Sequence, residues 1–322
     1  MAERPRILLH NAQTQAMAAS LQSARSDVDF RTCERYDTLP QLLESYRPDI
    51  VYTVRFAGSP GYPRDALLGP SGPRWIANGG AGTDHLGHWD TSRVTITNAA
   101  GIAADMMAEY IMGAFLHFTL DVPGLLHDKS ARRWQSRLVR PLAGQSLLIV
   151  GLGHTGRALA ARAKAFGMHI LGTRANPRPM AEVDEVHAAQ ALPDLLPRAD
   201  FIAVCTPLTK ATHRLIGPEE VAAMKQGTIL ADVSRGGVID QKALYGALKN
   251  AHIAGAALDV FETEPLPADS PFWDLDNTLI SPHCSSVSED WETASFDLFL
   301  QNLGRWMAGE PLRNIVDPDR GY

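Results

Sequence analysis

Short apolar runs alternate with amphipathic stretches along most of this chain, a pattern typical of proteins built from β-strands and α-helices in turn. The alternation is most regular between Ser146 and Ser281. It predicts helices over 155–166, 218–224 and 240–249, between strands over 146–150, 168–172, 200–204, 228–232, 253–257 and 278–281. Strands that are joined through helices in this way predict a doubly wound parallel sheet.

The residues on either side of this region predict a second, smaller α/β domain. Apolar runs alternate with helical patterns up to about Asn98, and a strongly helical stretch follows from Ile102 to about His127. Pro123 predicts a break or kink in that stretch. A further amphipathic helix runs from Asp290 to Met307. We therefore expect one domain to be inserted into another, with boundaries at 1–99, 100–285 and 286–322.

The inserted region carries a glycine-rich motif that suits a dinucleotide. An apolar run, Ser146–Val150, leads into Gly-x-Gly-x-x-Gly and then into an Ala-rich helix pattern. The three glycines permit a tight turn, a close approach to a pyrophosphate and close packing of helix on strand. We therefore predict a Rossmann cofactor domain inserted into a smaller, flavodoxin-like substrate domain. The expected cofactor contacts are Gly151, Leu152, Gly153, His154, Thr155 and Gly156.

The end of the next strand favours NADP(H) over NAD. A site selective for NAD places Asp or Glu about 20 residues further on, where it binds the ribose 2′-hydroxyl. Here the strand ends at Arg174, and no carboxylate follows until Glu182. A guanidinium suits a phosphate dianion, so we predict that Thr173, Arg174 and Arg178 hold a 2′-phosphate. The alternative is that Arg174 is a solvated loop residue and that NAD is held without an acid.

Composition and charge exclude several other classes of protein. The net charge of −6, without a basic tract, gives no indication of nucleic-acid binding. No apolar run reaches the roughly 18 residues of a membrane span, and no signal peptide is recognisable. Cys33, Cys205 and Cys284 are far apart in the sequence and fit a reducing cytoplasm. No cluster of Cys and His predicts a metal site.

Three polar side chains follow apolar strands at the edge where a doubly wound sheet binds its ligands. Arg235 lies beside two glycines, Glu264 in an acidic loop, and His283 after the last strand. Taken separately, each has a simpler explanation: Arg235 could form a surface ion pair, Glu264 could make its loop soluble, and His283 could be structural. Together, beside a nicotinamide, they form a proton-transfer set. Asp259 directly follows its strand, and we expect it to bond a cofactor carboxamide.

These motifs, in this order, resemble those of the D-isomer-specific 2-hydroxyacid dehydrogenases. The chain carries GLGHTG, VSRGGVID, LDVFETEPLP and SPHCSS, and GGAGTD at 79–84 resembles the substrate-binding turn of that family. The resemblance implies that Arg235, Glu264 and His283 are the catalytic set. It also implies that Gly80 and Ala81 offer backbone N–H groups to a substrate carboxylate. The predicted cofactor site further includes Thr206, Pro207, Thr209, Val233, Ser234, Asp259 and Ser285.

Within the family, the chain is similar to the NADPH-dependent glyoxylate/hydroxypyruvate reductases of the bacterial A type. The similarity lies in Arg174, in Ser270–Trp273 and in the tail from Asp319 to Tyr322. It implies reduction of small 2-oxoacids to D-2-hydroxyacids, with His283 as the general acid. Two alternatives stay open: an NAD-dependent dehydrogenase for a larger 2-oxoacid, and a fold-related cofactor sensor without catalysis.

Two further predictions concern the substrate and the assembly. The loop Arg55–Tyr62 is expected to contact the far end of the substrate, and the charge of Arg55 favours a short or polar molecule. The segment Asp128–Trp134 is expected at a homodimer interface, because Trp and Arg are frequent interface anchors. Trp134 would then reach the active site of the neighbouring subunit. The alternative is that Trp134 caps the core of its own domain.

Overall fold

A computed structural model describes residues 4–55, 61–318 and 320 of the chain. It divides into two compact units, Met1–Ile102 with Ser288–Tyr322, and Ala103–Val287. The sequence-based boundaries, at 99/100 and 285/286, differ from these by a few residues. In the described ranges, no helix combines the length and the apolar character that crossing a membrane requires.

The smaller unit is a parallel sheet with helices packed on it. Its strands are β1 (Arg6–His10), β2 (Asp29–Cys33), β3 (Ile50–Thr53), β4 (Trp75–Asn78) and β5 (Thr95–Thr97), and its helices are α1 (Gln15–Ala24), α2 (Leu39–Tyr46), α3 (Arg64–Leu68) and the last helix, Trp291–Ala308. The strand order is β2-β1-β3-β4-β5. Strands covered on both faces form continuous apolar runs, which is why β1, β3 and β4 are recognisable in the sequence. The edge strand β2 is mostly exposed and has no such run.

Both faces of the central strands of this sheet are buried. On one face Tyr52 and Trp75 pack against the last helix, with ring centroids 5.2 Å from Phe296 and 5.6 Å from Phe299 respectively. On the other face the apolar residues of β1, β3 and β4 pack against α2 through Leu43. The last helix therefore completes the core of the smaller unit.

The larger unit is a seven-stranded parallel sheet with helices on it. Its helices are α4 (Ala104–Thr119), α5 (Val122–Ser130), α6 (His154–Ala165), α7 (Leu192–Leu195), α8 (Pro218–Ala223) and α9 (Gln241–Lys249). Its strands are β6 (Ser146–Val150), β7 (His169–Arg174), β8 (Glu185–Ala188), β9 (Phe201–Val204), β10 (Thr228–Asp232), β11 (Ile253–Leu258) and β12 (Thr278–Ile280). The strand order is β12-β11-β10-β9-β6-β7-β8. From β6 the chain adds β7 and β8 on one side and then β9 to β12 on the other side, as in a doubly wound sheet. The predicted fold class is confirmed.

The break predicted at Pro123 is confirmed. The helical stretch from Ile102 to His127 consists of two helices, α4 and α5, because Asp121 adopts a left-handed conformation with φ of 50° and its carboxylate caps the Gly124 N–H. Pro123 lies in the first turn of α5, where its missing N–H costs nothing. The edge strand β8 was not predicted, because its four residues are only half-buried and form no apolar run.

The carboxyl ends of three strands meet at one edge of the larger sheet. Asp232 at the end of β10 pairs with Leu258 of β11, and Leu258 pairs with Ile280 of β12. Residues that directly follow these strands are therefore neighbours in space, although they are far apart in the sequence.

Candidate active site

The glycine-rich turn after β6 leads directly into the N-terminus of α6. Gly151 has a φ of 105°, which a residue with a side chain rarely adopts. The N–H groups of Gly151 and Leu152 donate to the carbonyl of Thr173 at 3.2 and 2.9 Å. A Cβ on Gly156 would lie 2.1 Å from the carbonyl oxygen of Gly151, so only glycine fits there. His154 and Thr155 open α6, and the N–H groups of this helix start are of the kind that binds a pyrophosphate.

Two observations show that this turn fits a dinucleotide. A Cβ added to Gly153 would meet no atom of the described chain within 4 Å, so the backbone there is open to a ligand. Thr206, after β9, has a buried hydroxyl that lacks a hydrogen-bond partner among the described residues, and its methyl group lies against Gly151. Such a hydroxyl is costly to bury, and a bound ligand would satisfy it. A turn closed by bonds among Thr212, Thr209 and Pro207, at 2.6 to 2.8 Å, follows it.

The end of β7 presents positive charge. Thr173 is buried, Arg174 is half-buried, and Arg178 is exposed. Nearby carboxylates are paired elsewhere: Asp184 with Lys164, and Glu185 with Arg198. Neither Arg174 nor Arg178 forms an ion pair within the described part of the chain, so both guanidinium groups are available to an anion.

His283 and Glu264 form a direct pair. His283 Nδ1 lies 2.8 Å from Glu264 Oε2, and the Phe261 N–H donates to Glu264 Oε1 at 3.0 Å. Burial alone would raise the pKa of Glu264, but these bonds and the charge of Arg235 hold its pKa below the ordinary value. Arg235 is half-buried and donates through Nη1 to the Ser234 carbonyl at 2.7 Å. The structure thus places the three predicted catalytic side chains in one cluster.

A buried acid that the sequence reading did not single out lies beside this cluster. Asp232 is 4% exposed, and Ser234 donates to its Oδ1 through the hydroxyl at 2.5 Å and the N–H at 3.0 Å. Burial raises the pKa of Asp232 to about 7. Burial, with the charge of Asp232, also raises the pKa of the Cys205 thiol to about 12. Val233 is buried next to it and forms part of the core.

Asp259 and Ser285, both predicted cofactor contacts, are hydrogen-bonded to each other. The hydroxyl and N–H of Ser285 donate to Asp259 Oδ2 at 2.6 and 3.1 Å. Asp259 is only 2% exposed, and so is Ser285. Whether either residue touches a cofactor stays a prediction.

The turn at Gly80 and Ala81 belongs to the smaller unit, and two asparagines shape it. Asn78 donates through Nδ2 to the carbonyls of Gly80 and Gly82 at 2.8 and 3.0 Å, and Asn98 donates to the Ala81 carbonyl at 2.7 Å. The carbonyls are thus held inward. The N–H groups of Gly80 and Ala81 have no acceptor among the described residues. The sequence-based prediction did not include Asn78 or Asn98, although Asn78 is the last residue of β4 and Asn98 directly follows β5.

Arg55 is exposed at the start of the predicted substrate loop. Residues 56–60 of that loop lie outside the described residues, as do Asp319, Gly321 and Tyr322 of the tail. Tyr62, at the other end of the loop, lies 3.1 Å from the Thr53 hydroxyl. The role of Arg55 stays a prediction.

Trp134 lies on an extended segment after α5 and is 104% exposed, so it does not cap the core of its own unit. That alternative is wrong, and the reason lies in its neighbours. Arg133 and Arg137 both pair with the buried carboxylate of Asp128, at 2.8 and 2.5 Å, and hold the segment on the surface. Other large apolar side chains nearby are exposed as well, with Leu126 at 58% and Leu138 at 99%.

Comparison with known proteins places the chain in a family. The D-isomer specific 2-hydroxyacid dehydrogenase NAD-binding domain matches residues 112–285, more than half of the chain. A glyoxylate reductase of Korarchaeum cryptofilum is 33% identical over 267 residues, which are 80% of this chain and 80% of that protein. A D-3-phosphoglycerate dehydrogenase of Methanocaldococcus jannaschii is 34% identical over 87% of this chain but only 54% of its own length. The chain thus spans about half of that relative.

A solved structure is similar over the whole chain. A D-isomer specific 2-hydroxyacid dehydrogenase of Xanthobacter autotrophicus, in complex with NADPH and MES, is 30% identical with a TM-score of 0.85, over 99% of this chain and 100% of that one. Sequence, motif order and fold therefore agree, and the chain belongs to the D-isomer specific 2-hydroxyacid dehydrogenase family.

Proposed function

We propose that the protein reduces small 2-oxoacids, such as glyoxylate and hydroxypyruvate, to D-2-hydroxyacids with NADPH. The observation that carries this proposal is the His283–Glu264 pair at 2.8 Å beside Arg235, on the same sheet as the glycine-rich turn. A cofactor domain alone would fit many reactions. A histidine hydrogen-bonded to a carboxylate, with an arginine beside it, is suited to protonating a developing alkoxide. The relative from Korarchaeum cryptofilum described above is named as a glyoxylate reductase, and so are further relatives.

In the proposed mechanism, a bound NADPH would supply the hydride that the carbonyl carbon accepts. Arg235 binds the substrate carboxylate and carbonyl through its guanidinium, which is suited to bidentate contacts. His283 donates a proton from Nε2 to the carbonyl oxygen, because Nδ1 is engaged by Glu264. Glu264 stabilises the imidazolium before transfer, and the Phe261 N–H keeps its carboxylate ionised and in place.

The preference for NADP(H) is the part of the proposal that concerns β7. Arg174 and Arg178 have no acid to pair with in the described chain, and Thr173 adds a hydroxyl beside them. The 2′-phosphate of NADP(H) would form ion pairs with these two guanidinium groups, whereas the ribose hydroxyl of NAD carries no charge to pair with them. The solved relative in complex with NADPH is in keeping with this assignment.

For the substrate carboxylate we propose the N–H groups of Gly80 and Ala81 as further donors. Asn78 and Asn98 support this role, because they hold the neighbouring carbonyls away from the side that the N–H groups present. A turn without large side chains binds a carboxylate through its backbone and does not discriminate among substrates. Discrimination is then left to Arg55 and to Trp134 of a second subunit.

The proposal also includes a homodimer formed through the segment around Trp134. A cluster of exposed apolar side chains on one surface is typical of an interface, and Trp and Arg are its usual anchors. Between residues 125 and 139 the chain carries five large apolar side chains that are more than 45% exposed: Leu125, Leu126, Trp134, Leu138 and Val139. A second copy of the chain would bury them.

The proposed function is tested by the oxidation of NADPH in the presence of a panel of 2-oxoacids. We expect higher kcat/KM for glyoxylate and hydroxypyruvate than for phenylpyruvate or 2-oxoisocaproate. The preference should be modest, because one methylene changes discrimination by about 1–3 kcal/mol. A higher kcat/KM for the branched or aromatic acids would favour a dehydrogenase for larger substrates. NADPH binding without any turnover would favour the cofactor sensor.

A further inference from the structure

The glycine-rich turn of the smaller unit, residues 79–82, is held through its carbonyl groups. The side chains of Asn78 and Asn98 hold three of these carbonyls, as described above. The fourth, that of Gly79, accepts the hydroxyl of Ser295 at 2.8 Å. Ser295 belongs to the last helix and is 216 residues away in the sequence. All four carbonyls of the turn are therefore engaged by the protein.

The bond from Ser295 acts on the N–H of Gly80, because the Gly79 carbonyl and this N–H belong to one peptide group. In a planar trans peptide the two groups point in opposite directions. The bond between Gly79 and Gly80 is trans, so fixing the carbonyl on Ser295 also fixes the direction of the N–H. This N–H has no acceptor among the described residues, and it is one of the two donors proposed for the substrate carboxylate.

Tyr52 of β3 holds the hydroxyl of Ser295 in place. Its own hydroxyl lies 3.0 Å from Ser295 Oγ. A carbonyl can only accept, so Ser295 gives its single hydrogen to Gly79, and Tyr52 is the donor to Ser295. Burial raises the pKa of Tyr52 to about 12, although the bond to Ser295 lowers it, so the phenol keeps its proton at neutral pH. The hydrogen bonds thus run from Tyr52 through Ser295 to the Gly79 carbonyl.

This use of a helix serine differs from the common one. A serine within a helix often donates to the carbonyl four residues before it, as Ser45 of α2 does to Gln41 at 2.8 Å. Ser295 instead donates to a distant turn, and it is 2% exposed. The turn also lies directly on Tyr52, because a Cβ on Gly79 would be 2.6 Å from the tyrosine hydroxyl. The two side chains therefore fix the first peptide group of the turn.

We infer that Ser295 and Tyr52 are positioning residues for substrate binding, which orient the Gly80 N–H toward the substrate carboxylate. The inference rests on the proposed function, in which this N–H binds that carboxylate. A donor that is fixed in advance binds an anion without first losing conformational freedom. Neither side chain contacts the reacting atoms, so removing either hydroxyl weakens carboxylate binding and leaves the transfer of hydride and proton nearly unchanged.

The kinetic test compares Ser295→Ala with the wild type, with hydroxypyruvate as the varied substrate and NADPH at saturation. We expect KM to rise about three- to tenfold, as the loss of one hydrogen bond would produce, while kcat changes by less than about twofold. A mere loss of folded protein has the opposite signature, because it lowers the apparent kcat and leaves KM unchanged. Ser45→Ala is the matched control, since this serine bonds within its own helix, and its KM should equal that of the wild type.

A binding measurement tests the same inference without turnover. Oxamate has a carboxylate beside a carbonyl, like a 2-oxoacid, and its amide is not reduced by NADPH. Isothermal titration calorimetry of the NADPH-loaded protein should give an oxamate Kd about three- to tenfold higher for Ser295→Ala than for the wild type, with an unchanged NADPH Kd. Tyr52→Phe removes the donor to Ser295 but keeps the hydroxyl that bonds Gly79, so we expect a smaller rise, of about twofold, in both KM and the oxamate Kd.

An unchanged KM in Ser295→Ala, or an equal rise in Ser45→Ala, would overturn the inference. If Ser295→Ala does not fold, Tyr52→Phe decides, because a raised KM with an unchanged kcat supports the positioning role and an unchanged KM overturns it. If the wild type reduces no 2-oxoacid, the proposed function fails, and the oxamate Kd then decides the inference. A higher Kd in Ser295→Ala supports it, whereas equal Kd values, or no binding to either protein, overturn it.

Discussion

Replacing Asp232 with asparagine is expected to change how the stability of the protein depends on pH. Asp232 is 4% exposed, and burial raises its pKa from 3.8 to about 7. The hydrogen bonds from Ser234 and the charge of Arg235 oppose this rise, while the charge of Asp259 adds to it. Asparagine keeps an oxygen that accepts from Ser234, so the change removes the titration and leaves the main contacts in place.

The sign of the effect follows from where the proton is bound. Between the two pKa values the folded protein keeps the proton on Asp232 and the unfolded chain loses it, so stability falls as the pH rises through this window. Above about pH 7 both states are ionised and the loss is complete. Each pH unit within the window is worth about 1.36 kcal/mol, so the loss between pH 5 and pH 8 is on the order of 2–3 kcal/mol.

Urea unfolding at pH 5 and at pH 8 measures this difference. The change in the free energy of unfolding caused by Asp232→Asn is measured at both pH values. It should be more stabilising at pH 8 than at pH 5, by on the order of 2–3 kcal/mol. Asp276→Asn, at an exposed aspartate of the same unit, is the matched control and should show no such difference. Parallel pH dependences in the wild type and Asp232→Asn would refute the reasoning.

Three further predictions concern the proposed site. His283→Ala should lower kcat, measured by steady-state kinetics, by a factor of about 10²–10⁴. Its NADPH affinity, measured by fluorescence titration, should be nearly unchanged. A variant that kept its turnover would show that another residue is the general acid. Glu264→Gln should move the loss of reductive activity to lower pH, because the imidazolium loses its carboxylate partner, and an unmoved pH profile would count against the pair. Arg174→Asp should weaken NADPH binding by about 1.5–3 kcal/mol and leave NADH binding less affected, whereas equal losses for both would contradict a 2′-phosphate contact.

The last of these predictions concerns the homodimer and the segment around Trp134. Light scattering at micromolar concentration should show a dimer for the wild type and a larger monomer fraction for Trp134→Ser. Trp273→Ser, at another exposed tryptophan of the larger unit, is the control. A wild-type monomer would refute the dimer, and a dimer unaffected by Trp134→Ser would refute only the anchoring role of this residue.

The features that sequence reasoning found are those encoded locally. The apolar runs of β6 and β10 and the glycines at 151, 153 and 156 lie within short stretches, so both the fold class and the turn could be predicted. The catalytic trio could be proposed because each residue follows a strand, and strands of a doubly wound sheet end at one edge. In the structure that edge brings Glu264 and His283 into contact.

What could not be predicted depends on contacts between distant residues. Tyr110 lies in the predicted helical stretch from Ile102, and only the structure shows that its hydroxyl lies against that of Ser281. Nothing in the sequence distinguishes Asp232 from other acids at strand ends, because its raised pKa results from its burial in the folded unit. Asn78 and Asn98 are ordinary polar residues near strand ends until their side chains are seen to hold the Gly80–Ala81 turn.

The most direct test of the central claim is the reduction of hydroxypyruvate by the purified protein, with NADPH and with NADH, and with the chirality of the product determined. We predict steady oxidation of NADPH, a higher kcat/KM than with NADH, and D-glycerate as the product. Formation of L-glycerate, equal or better kcat/KM with NADH, or no turnover with either cofactor would contradict the account.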